Sequence, residues 1–158
     1  SFGISKVTSK DDLNEKINYA FQEGDEVLVE SFLDGKEVSV GVINIDGKRI
    51  ILPITEIISK NEFFDFDAKY NGESEEITPG VLSTNELDDI HIMINTIYDN
   101  INLSGITRSE IILVHGVPHL LETNTIPGFT KQSIVPQQIK AAGLSINQIV
   151  ESQIKSLL

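Results

Sequence analysis

The sequence predicts a mixed α+β domain in which helices pack on a mainly antiparallel sheet. Apolar and polar side chains alternate along several short segments, and a tight turn such as Asp46-Gly47 joins two of them. Other segments repeat apolar residues at helical spacing after a capping residue. Strands, an irregular stretch, a helix, a hairpin and further helices follow in this order, which is typical of the α+β class. We predict one domain over residues 1–158.

The first part of the chain predicts a helix and strands. The capping pattern of residues 9–12 precedes a helix that extends to about Phe21. Asp46-Gly47 is a strong hairpin signal. The segments that alternate in polarity, and are therefore predicted as strands, are 26–33, 37–45 and 49–57.

Residues 59–79 show no regular period. Their aromatic side chains are Phe63, Phe64, Phe66 and Tyr70. An irregular loop of this length in a compact domain is often a functional lid. A surface excursion is the alternative, but so many aromatic side chains are unusual in solvent. We expect a lid.

The second part of the chain predicts a long helix, a hairpin and two shorter helices. Residues 83–86 form a capping box that opens a helix to about Asn102. The apolar side chains that recur at helical spacing along it are Leu87, Ile90, Ile94, Ile97 and Ile101. A hairpin is predicted around residues 115–117, a short helix over about 136–142, and a last helix from Ser145.

Composition restricts the function. The chain has no cysteine, which excludes disulfides, thiolate zinc sites and a cysteine nucleophile. A net charge of −12 disfavours nucleic acid and anionic membranes as partners. No apolar run approaches the length that a bilayer requires, and the first residues lack the pattern of a signal peptide. We expect a cytoplasmic protein without nucleic-acid or membrane partners.

The predicted hairpin brings four polar side chains to one face. Side chains alternate along a strand, so Arg108 shares a face with Glu110, and Glu122 shares one with Asn124. If Glu110 pairs with Glu122, Arg108 falls opposite Asn124. Opposed carboxylates repel, which favours a cation between them, and oxygen ligands suit Mg²⁺. A solvated face with cross-strand charge pairs is the alternative.

Six segments resemble the C-terminal ATP-grasp region of the D-alanine–D-alanine ligase family: EVLVESFLDGKEVSVGV, LPITEI, FFDFDAKY, EEITPG, LLETNTIPGFTKQSIVPQ and AAGLS. The resemblance extends over essentially the whole chain. It implies an ATP-grasp domain over residues 1–158 and an enzyme that works in two steps. ATP phosphorylates the carboxylate of one D-alanine, and the amine of a second D-alanine attacks the acylphosphate. The dipeptide is a precursor of peptidoglycan.

The resemblance also implies cofactors and partners, namely ATP, two Mg²⁺ (or Mn²⁺) ions and D-alanine. The chain begins inside the family's serine- and glycine-rich phosphate loop, with Ser1 and Gly3 at phosphate-contacting positions. We therefore expect a fragment that lacks the enzyme's N-terminal domain and is inactive alone. The whole enzyme is expected to be a homodimer.

The ATP-binding positions that the resemblance implies lie in two segments. Glu30, Phe32 and Leu33 match the segment that contacts adenine, and Glu37 matches the ligand of the ribose hydroxyls. Lys69 resembles the residue that closes on the phosphates. Solvated side chains on a core strand, and a solvated lysine in an acidic loop, are the alternatives.

Other matched positions concern the chemistry and the second substrate. Arg108 resembles the arginine that stabilises the acylphosphate and the later oxyanion, and Gly128 allows the backbone to approach that oxyanion. Tyr70 matches the position where tyrosine accompanies D-alanine as second substrate and phenylalanine accompanies D-lactate. Ser133 and Ile134 match residues that hold the carboxylate of the second D-alanine, although a helix cap is the alternative for Ser133.

Glu110, Glu122 and Asn124 match the magnesium ligands of the family, with Glu122 bridging two ions. The family more often has aspartate where this chain has Glu110. Two alternatives to the D-alanyl-D-alanine reaction stay open. One is another ATP-grasp ligase that makes D-alanyl-D-lactate or D-alanyl-D-serine, and the other is a non-catalytic nucleotide-binding module.

Overall fold

A computed structural model describes residues 2–59 and 74–158. The strands are β1 (Lys36–Ile45), β2 (Lys48–Ile51), β3 (Thr55–Ser59), β4 (Ser74–Ile77), β5 (Thr107–Val114) and β6 (Val117–Asn124). They form one sheet in the order β4-β3-β1-β5-β6, with β2 also paired to β1. Each of these pairings is antiparallel. The predicted α+β class with a mainly antiparallel sheet is confirmed.

Four α-helices accompany this sheet in the described residues. A short 3₁₀ turn, Lys10–Asp12, leads into α1 (Leu13–Ala20), and the others are α2 (Thr84–Ile101), α3 (Ile134–Ala141) and α4 (Ile146–Lys155). The four predicted helices are confirmed, and α3 begins slightly earlier than the sequence predicts. Among the helices of residues 2–59 and 74–158, none is long and apolar enough to cross a membrane.

The long helix α2 begins and ends as the sequence predicts. The backbone N–H of Glu86 donates to Ser83 Oγ at 3.3 Å, and the backbone N–H of Ser83 donates to Glu86 Oε2 at 2.7 Å. Asn102 closes the helix in the left-handed conformation, with φ of 51°. The capping box is therefore confirmed.

The buried face of α2 differs from the predicted one at its last turn. Ile90 and Ile94 are buried, as predicted, but Ile101 is 60% exposed. Tyr98 completes the buried face instead, because its hydroxyl hydrogen-bonds to the hydroxyl of Thr107 on β5. The polar group of this tyrosine is satisfied inside the core, so its ring can be buried at little cost.

The hairpin after β1 contains an interruption that the sequence did not predict. The turn at Asp46-Gly47 has φ of 48° and 76°, as a two-residue hairpin turn requires. The predicted returning strand is divided into β2 and β3, because Pro53 between them has no N–H to donate to β1. Pairing with β1 resumes at Thr55, which lies opposite Ser39.

The predicted strand at residues 26–33 is wrong. Among the described residues no strand pairs with this segment, and an extended segment without a ladder is not a strand. Leu28 and Val29 are 80% and 63% exposed. The alternating pattern here does not reflect a half-buried face.

The irregular stretch predicted at residues 59–79 is shorter than expected, because β3 extends to Ser59 and β4 begins at Ser74. The residues between them lie outside the described part of the chain, so the predicted lid stays a prediction. This interval includes Phe63, Phe64, Phe66, Lys69 and Tyr70.

The sheet separates two apolar clusters. The first joins the sheet to α2 and contains Val38, Val40, Val42, Ile54, Ile90, Ile94, Tyr98, Ile111 and Leu113. The second joins the sheet to α3 and α4 and contains Ile43, Leu52, Val135, Ile139 and Ile149. Because helices cover both faces, the central strands are almost fully buried, and polar side chains on them occupy a low-dielectric environment.

We expect the substitution Ile94→Ala to lower the free energy of unfolding by about 2–5 kcal/mol, because it leaves a cavity in the first cluster. Ile92→Ala on the same helix is the matched control, since Ile92 is 64% exposed, and should change it by less than about 0.5 kcal/mol. Urea denaturation followed by circular dichroism measures both. Equal losses from the two variants would contradict the described burial of α2.

Candidate functional site

Strands β5 and β6 pair in the register that the sequence predicts. Arg108 lies opposite Asn124, and Glu110 lies opposite Glu122. The hairpin turn at His115-Gly116 has φ of 51° and 82°, which matches the right-handed twist of the strands. The register then shifts by one residue between Glu110 and Ile111, so β6 contains a bulge beside the carboxylates.

The same face continues from β5 onto β1 and β3. Ser39 lies opposite Glu110, and Thr55 lies opposite Ser39. Directly opposed residues of antiparallel strands present their side chains on the same face. Thr55, Ser39, Glu110 and Glu122 therefore form a row across the sheet, which we call the polar row.

Arg108 and Glu110 form a nearly buried ion pair. Arg108 Nε lies 2.6 Å from Glu110 Oε1, and the two side chains are 16% and 11% exposed. Burial raises the pKa of Glu110, while the charge of Arg108 and the hydroxyl of Ser39 act to lower it. The desolvation of the carboxylate is therefore only partly offset by its partners.

One oxygen of the Glu110 carboxylate lacks a well-aligned donor in the described part of the chain, although the hydroxyl of Ser39 lies near the carboxylate. Among those residues, neither Glu110 Oε2 nor Ser39 Oγ makes a well-aligned hydrogen bond. A buried carboxylate oxygen without a donor is costly, and a divalent cation beside it would remove that cost. Glu122, directly opposite, is exposed and adds a second carboxylate.

The oxygen set at this position fits Mg²⁺ by its chemistry. Glu110 and Glu122 supply carboxylates, and Asn124 supplies an amide oxygen, which already accepts from the N–H of Ile126 at 2.9 Å. Hard oxygen ligands of this kind suit Mg²⁺ or Mn²⁺. In residues 2–59 and 74–158 no group of three or more histidines and acids is arranged as a metal site, so any ion here relies on the amide or on other ligands.

Gly128 and Ser133 lie together after β6. A Cβ at Gly128 would lie 3.1 Å from Ser133 Oγ, so glycine permits this close approach. Ser133 precedes the first residue of α3, but its side chain does not cap the helix. Its oxygen accepts from the N–H of Thr130 at 3.1 Å and lies 3.0 Å from Thr130 Oγ1. Ser133 therefore occupies the N-cap position of α3, although its side chain makes no capping hydrogen bond, and Ile134 forms the buried first residue of α3.

The predicted adenine segment precedes β1 and belongs to none of the strands or helices of the described chain. Glu30 and Phe32 are exposed, and Leu33 is half-buried. Lys6 Nζ lies 4.0 Å from the centroid of the Phe32 ring, a cation–π contact. This segment is irregular rather than a strand, so side chains here do not alternate between a core and a solvent face.

Glu37 joins this segment to the sheet. It lies opposite Ile112 on β5, two residues before Ser39, and therefore on the face of the polar row. Just before it, the chain passes so near β5 that a Cβ at Gly35 would lie 2.3 Å from the carbonyl oxygen of Leu113. The predicted ribose ligand and the predicted metal ligands thus share one face.

Some predicted positions lie elsewhere. Ser1, Lys69 and Tyr70 fall outside the described residues. Gly3 is described with φ of 72°, and a Cβ there would lie 2.8 Å from Cγ of Glu23. The roles assigned to these residues stay predictions.

Gln138 is a further residue near the site that was not predicted from the sequence, and it is fully buried above the polar row. Its Nε2 donates to the carbonyl oxygen of Ser39 at 2.9 Å and to Thr55 Oγ1 at 3.0 Å. A signal was present, because Gln138 occupies a position at helical spacing from the apolar Ile134 and Val135. A polar side chain on the apolar face of a short helix indicates a buried hydrogen-bonding role.

An antiparallel sheet with helices on both faces, carrying carboxylates beside a buried arginine, has the architecture of an ATP-grasp C-terminal domain. The VanG D-Ala:D-Ser ligase from Enterococcus faecalis matches 97% of this chain with a TM-score of 0.82 and 34% identity. The D-alanine–D-alanine ligase from Bacillus anthracis, solved in complex with ATP, matches 95% with a TM-score of 0.76 and 26% identity. These matches cover 45% and 48% of the two solved chains.

The chain belongs to the family described as D-ala D-ala ligase C-terminus, which matches residues 1–155. The D-alanine–D-alanine ligase of Flavobacterium johnsoniae is 48% identical over 155 residues, which is 98% of this chain and 48% of that protein. That of Phocaeicola vulgatus is 43% identical over 157 residues. The chain thus spans about half the length of the curated relatives that it matches.

We expect Arg108→Met to lower the free energy of unfolding by about 3 kcal/mol near neutral pH, because the buried carboxylate of Glu110 loses its partner. Since burial raises the pKa of Glu110 in the folded state, lowering the pH protonates it there before it is protonated in the unfolded chain. The difference in the free energy of unfolding between the variant and the wild type should therefore decrease as the pH falls through the pKa of Glu110 in the folded state.

Urea unfolding at about pH 8 and at about pH 5 measures this effect. Lys155→Met is the matched control, because it removes a cation from an exposed pair with Glu151 and should change stability little at either pH. A deficit for Arg108→Met that is the same at both pH values would show that Glu110 is not the group left unpaired.

Proposed function

We propose that this chain is the ATP- and metal-binding C-terminal domain of an ATP-dependent ligase that joins two D-alanines through an acylphosphate. The observation that carries the proposal is the register of β5 and β6, which puts Arg108, Glu110, Glu122 and Asn124 on one face in a member of this family. Carboxylates for a cation beside a fixed guanidinium suit phosphoryl transfer, in which positioning and charge neutralisation supply most of the catalysis.

The metal site in this proposal consists of Glu110, Glu122 and Asn124, with Glu122 shared between two Mg²⁺ ions. Bound Mg²⁺ would neutralise the phosphate oxygens of ATP. The protein holds its ligands ready, because Glu110 is fixed by Arg108 and by its place between β1 and β6. The extra methylene of Glu110, compared with the aspartate more usual in the family, extends its carboxylate farther from the strand.

The acyl-transfer part of the proposal uses residues on β5 and after β6. Arg108 stabilises the negative charge of the acylphosphate and then of the oxyanion. Gly128 brings a backbone close to that oxyanion, and Ser133 with the start of α3 at Ile134 receives the carboxylate of the second D-alanine. The close approach of Gly128 to Ser133 supports a shared role for these two residues.

The nucleotide part of the proposal assigns adenine to Glu30, Phe32 and Leu33 and the ribose to Glu37. The location of Glu37 on the face of the polar row supports it, since the phosphates must reach the metal ligands from the ribose. Lys69 is proposed to contact the phosphates.

The whole enzyme in this proposal includes an N-terminal domain and works as a cytoplasmic homodimer with D-alanine and ATP as substrates. Its product serves peptidoglycan synthesis. The relatives' length, about twice that of this chain, supports the additional domain. The fragment of 158 residues is proposed to be inactive alone, because the pocket for the first D-alanine lies in that domain.

A second candidate is a ligase that adds D-serine to D-alanine. The structural similarity to the D-Ala:D-Ser ligase from Enterococcus faecalis favours it. Tyr70 is proposed to select an amine over D-lactate as second substrate. The two candidates share the first step and differ only in the acceptor.

The experiment that tests the proposal is ATP-dependent phosphate release by the full-length protein. D-alanine alone, D-alanine with D-serine, D-alanine with D-lactate, and L-alanine are the substrates, and mass spectrometry identifies the product. D-alanyl-D-alanine formed with D-alanine alone supports the first candidate, and preferential D-alanyl-D-serine supports the second. If phosphate is released with none of these substrates, both candidate ligase functions are refuted, and a nucleotide-binding module is favoured.

We expect Glu122→Gln to lower kcat by about 100-fold or more in the full-length protein, because it weakens the proposed bridging ligand. The Mg²⁺ concentration needed for half-maximal activity should rise as well. Glu151→Gln is the control, since this carboxylate is exposed on α4 and forms an ion pair with Lys155, which is likewise exposed. An unchanged requirement for Mg²⁺ in Glu122→Gln would remove Glu122 from the metal site.

A further inference from the structure

Gln138 is a buried polar side chain that the proposed chemistry does not use. It is fully buried on α3, and Nε2 donates to the carbonyl oxygen of Ser39 on β1 and to Thr55 Oγ1 on β3. Thr55 Oγ1 lies in turn 2.6 Å from Thr78 Oγ1. One side chain thus connects a helix to two strands and, through Thr55, to the residue that follows β4.

The space for Gln138 comes from Gly41. A Cβ at Gly41 would lie 2.2 Å from Gln138 Oε1, closer than any real contact, and 3.0 Å from Cδ1 of Leu52. Only glycine at this position of β1 lets the amide lie flat against the sheet. Gly41 and Gln138 are therefore complementary in shape.

The amide meets the sheet where its ladder is discontinuous. The partner of β1 changes from β3 to β2 across residues 52–54, where Pro53 has no N–H. Ser39, which accepts from Gln138, is the last residue of β1 paired with β3 before this break. Gln138 thus supplies a donor beside an irregularity that offers few backbone donors.

Gln138 also lies between the two halves of the proposed site. Its own helix begins at Ile134, directly after Ser133, which is proposed to receive the second D-alanine. Its acceptor Ser39 lies opposite Glu110, which is proposed to bind the metal. The hydrogen bonds of Gln138, together with the buried Val135 and Ile139, therefore hold α3 against the sheet beside the polar row.

We propose that Gln138 is a positioning residue for the second substrate, which it affects through α3 rather than by contact. The inference rests on the proposed ligase function. The amide contributes two hydrogen bonds in a buried environment, and their loss lets α3 shift over the sheet. A shift at the start of α3 displaces Ser133 and Ile134 while the nucleotide segment and the metal ligands on β5 and β6 stay in place.

The test uses the full-length protein with Gln138→Met, which keeps the length and volume of the side chain and removes its donors. We expect the KM of the second D-alanine to rise about tenfold, which corresponds to about 1.4 kcal/mol and is the size of one net hydrogen bond. The KM of ATP and that of the first D-alanine should change less than about twofold. Initial rates over a wide range of D-alanine separate the two D-alanine constants.

Gly41→Ala is an independent variant, because its methyl group would displace the amide without altering Gln138 itself. This variant should also raise the KM of the second D-alanine. Gln148→Met is the matched control, since Gln148 is exposed at the start of α4 and should leave all constants unchanged. Melting temperatures of all variants are measured alongside, because a merely structural role would lower stability without changing one Michaelis constant selectively.

The outcomes separate the inference from the function on which it rests. A rise in the KM of the second D-alanine for Gln138→Met, without a rise in the other two Michaelis constants, supports the positioning role. Unchanged constants, or equal rises for ATP and both D-alanines, would overturn it while the wild-type enzyme remains a ligase. If the wild-type enzyme releases no phosphate with D-alanine, the proposed function itself fails. Should Gly41→Ala not fold, the Gln138→Met result decides alone.

Discussion

The double pairing of β5 is the constraint on which the rest of this structure depends. The strand pairs with β1 on one side and with β6 on the other, and both ladders include Glu110. A ladder fixes both the register and the face of every residue on it. Ser39 on β1 and the two carboxylates of the β5–β6 hairpin, Glu110 and Glu122, therefore meet in one row without any flexible segment having to be ordered.

The polar row places a charged side chain, that of Glu110, where helices shield the sheet from water. Helices cover both faces of the central strands, so the carboxylate of Glu110 is desolvated and its pKa is raised. Arg108 offsets part of this cost and leaves one carboxylate oxygen without a donor in the described chain. Exposure increases along the polar row, from the fully buried Thr55 and Ser39 through Glu110 to Glu122, which is exposed. Such a gradient suits a ligand that carries its own cation and enters from the solvent side.

Local signals explain which parts of the fold and site could be predicted from the sequence. The turns at Asp46-Gly47 and His115-Gly116 and the capping box before α2 are short-range features. The second turn alone would put Leu121 opposite Glu110, so the pairing of the two carboxylates also depends on the bulge in β6. The failures concern long-range contacts. Residues 26–33 alternate but pair with no strand of the described chain, and the acceptors of Gln138, which are Ser39 and Thr55, are distant from it in sequence.

The bulge on β6 changes the chemical character of the sheet edge beside the carboxylates. Leu121 is the extra residue, so His119 rather than Leu120 lies opposite Ile112, on the face that carries Glu110. Without the bulge, Leu120 would follow Glu122 on this face, and an apolar side chain would adjoin the carboxylates. The shift by one residue places the imidazole of His119 there instead, so that a ring able to hydrogen-bond with water, rather than a leucine, follows the carboxylates on this face.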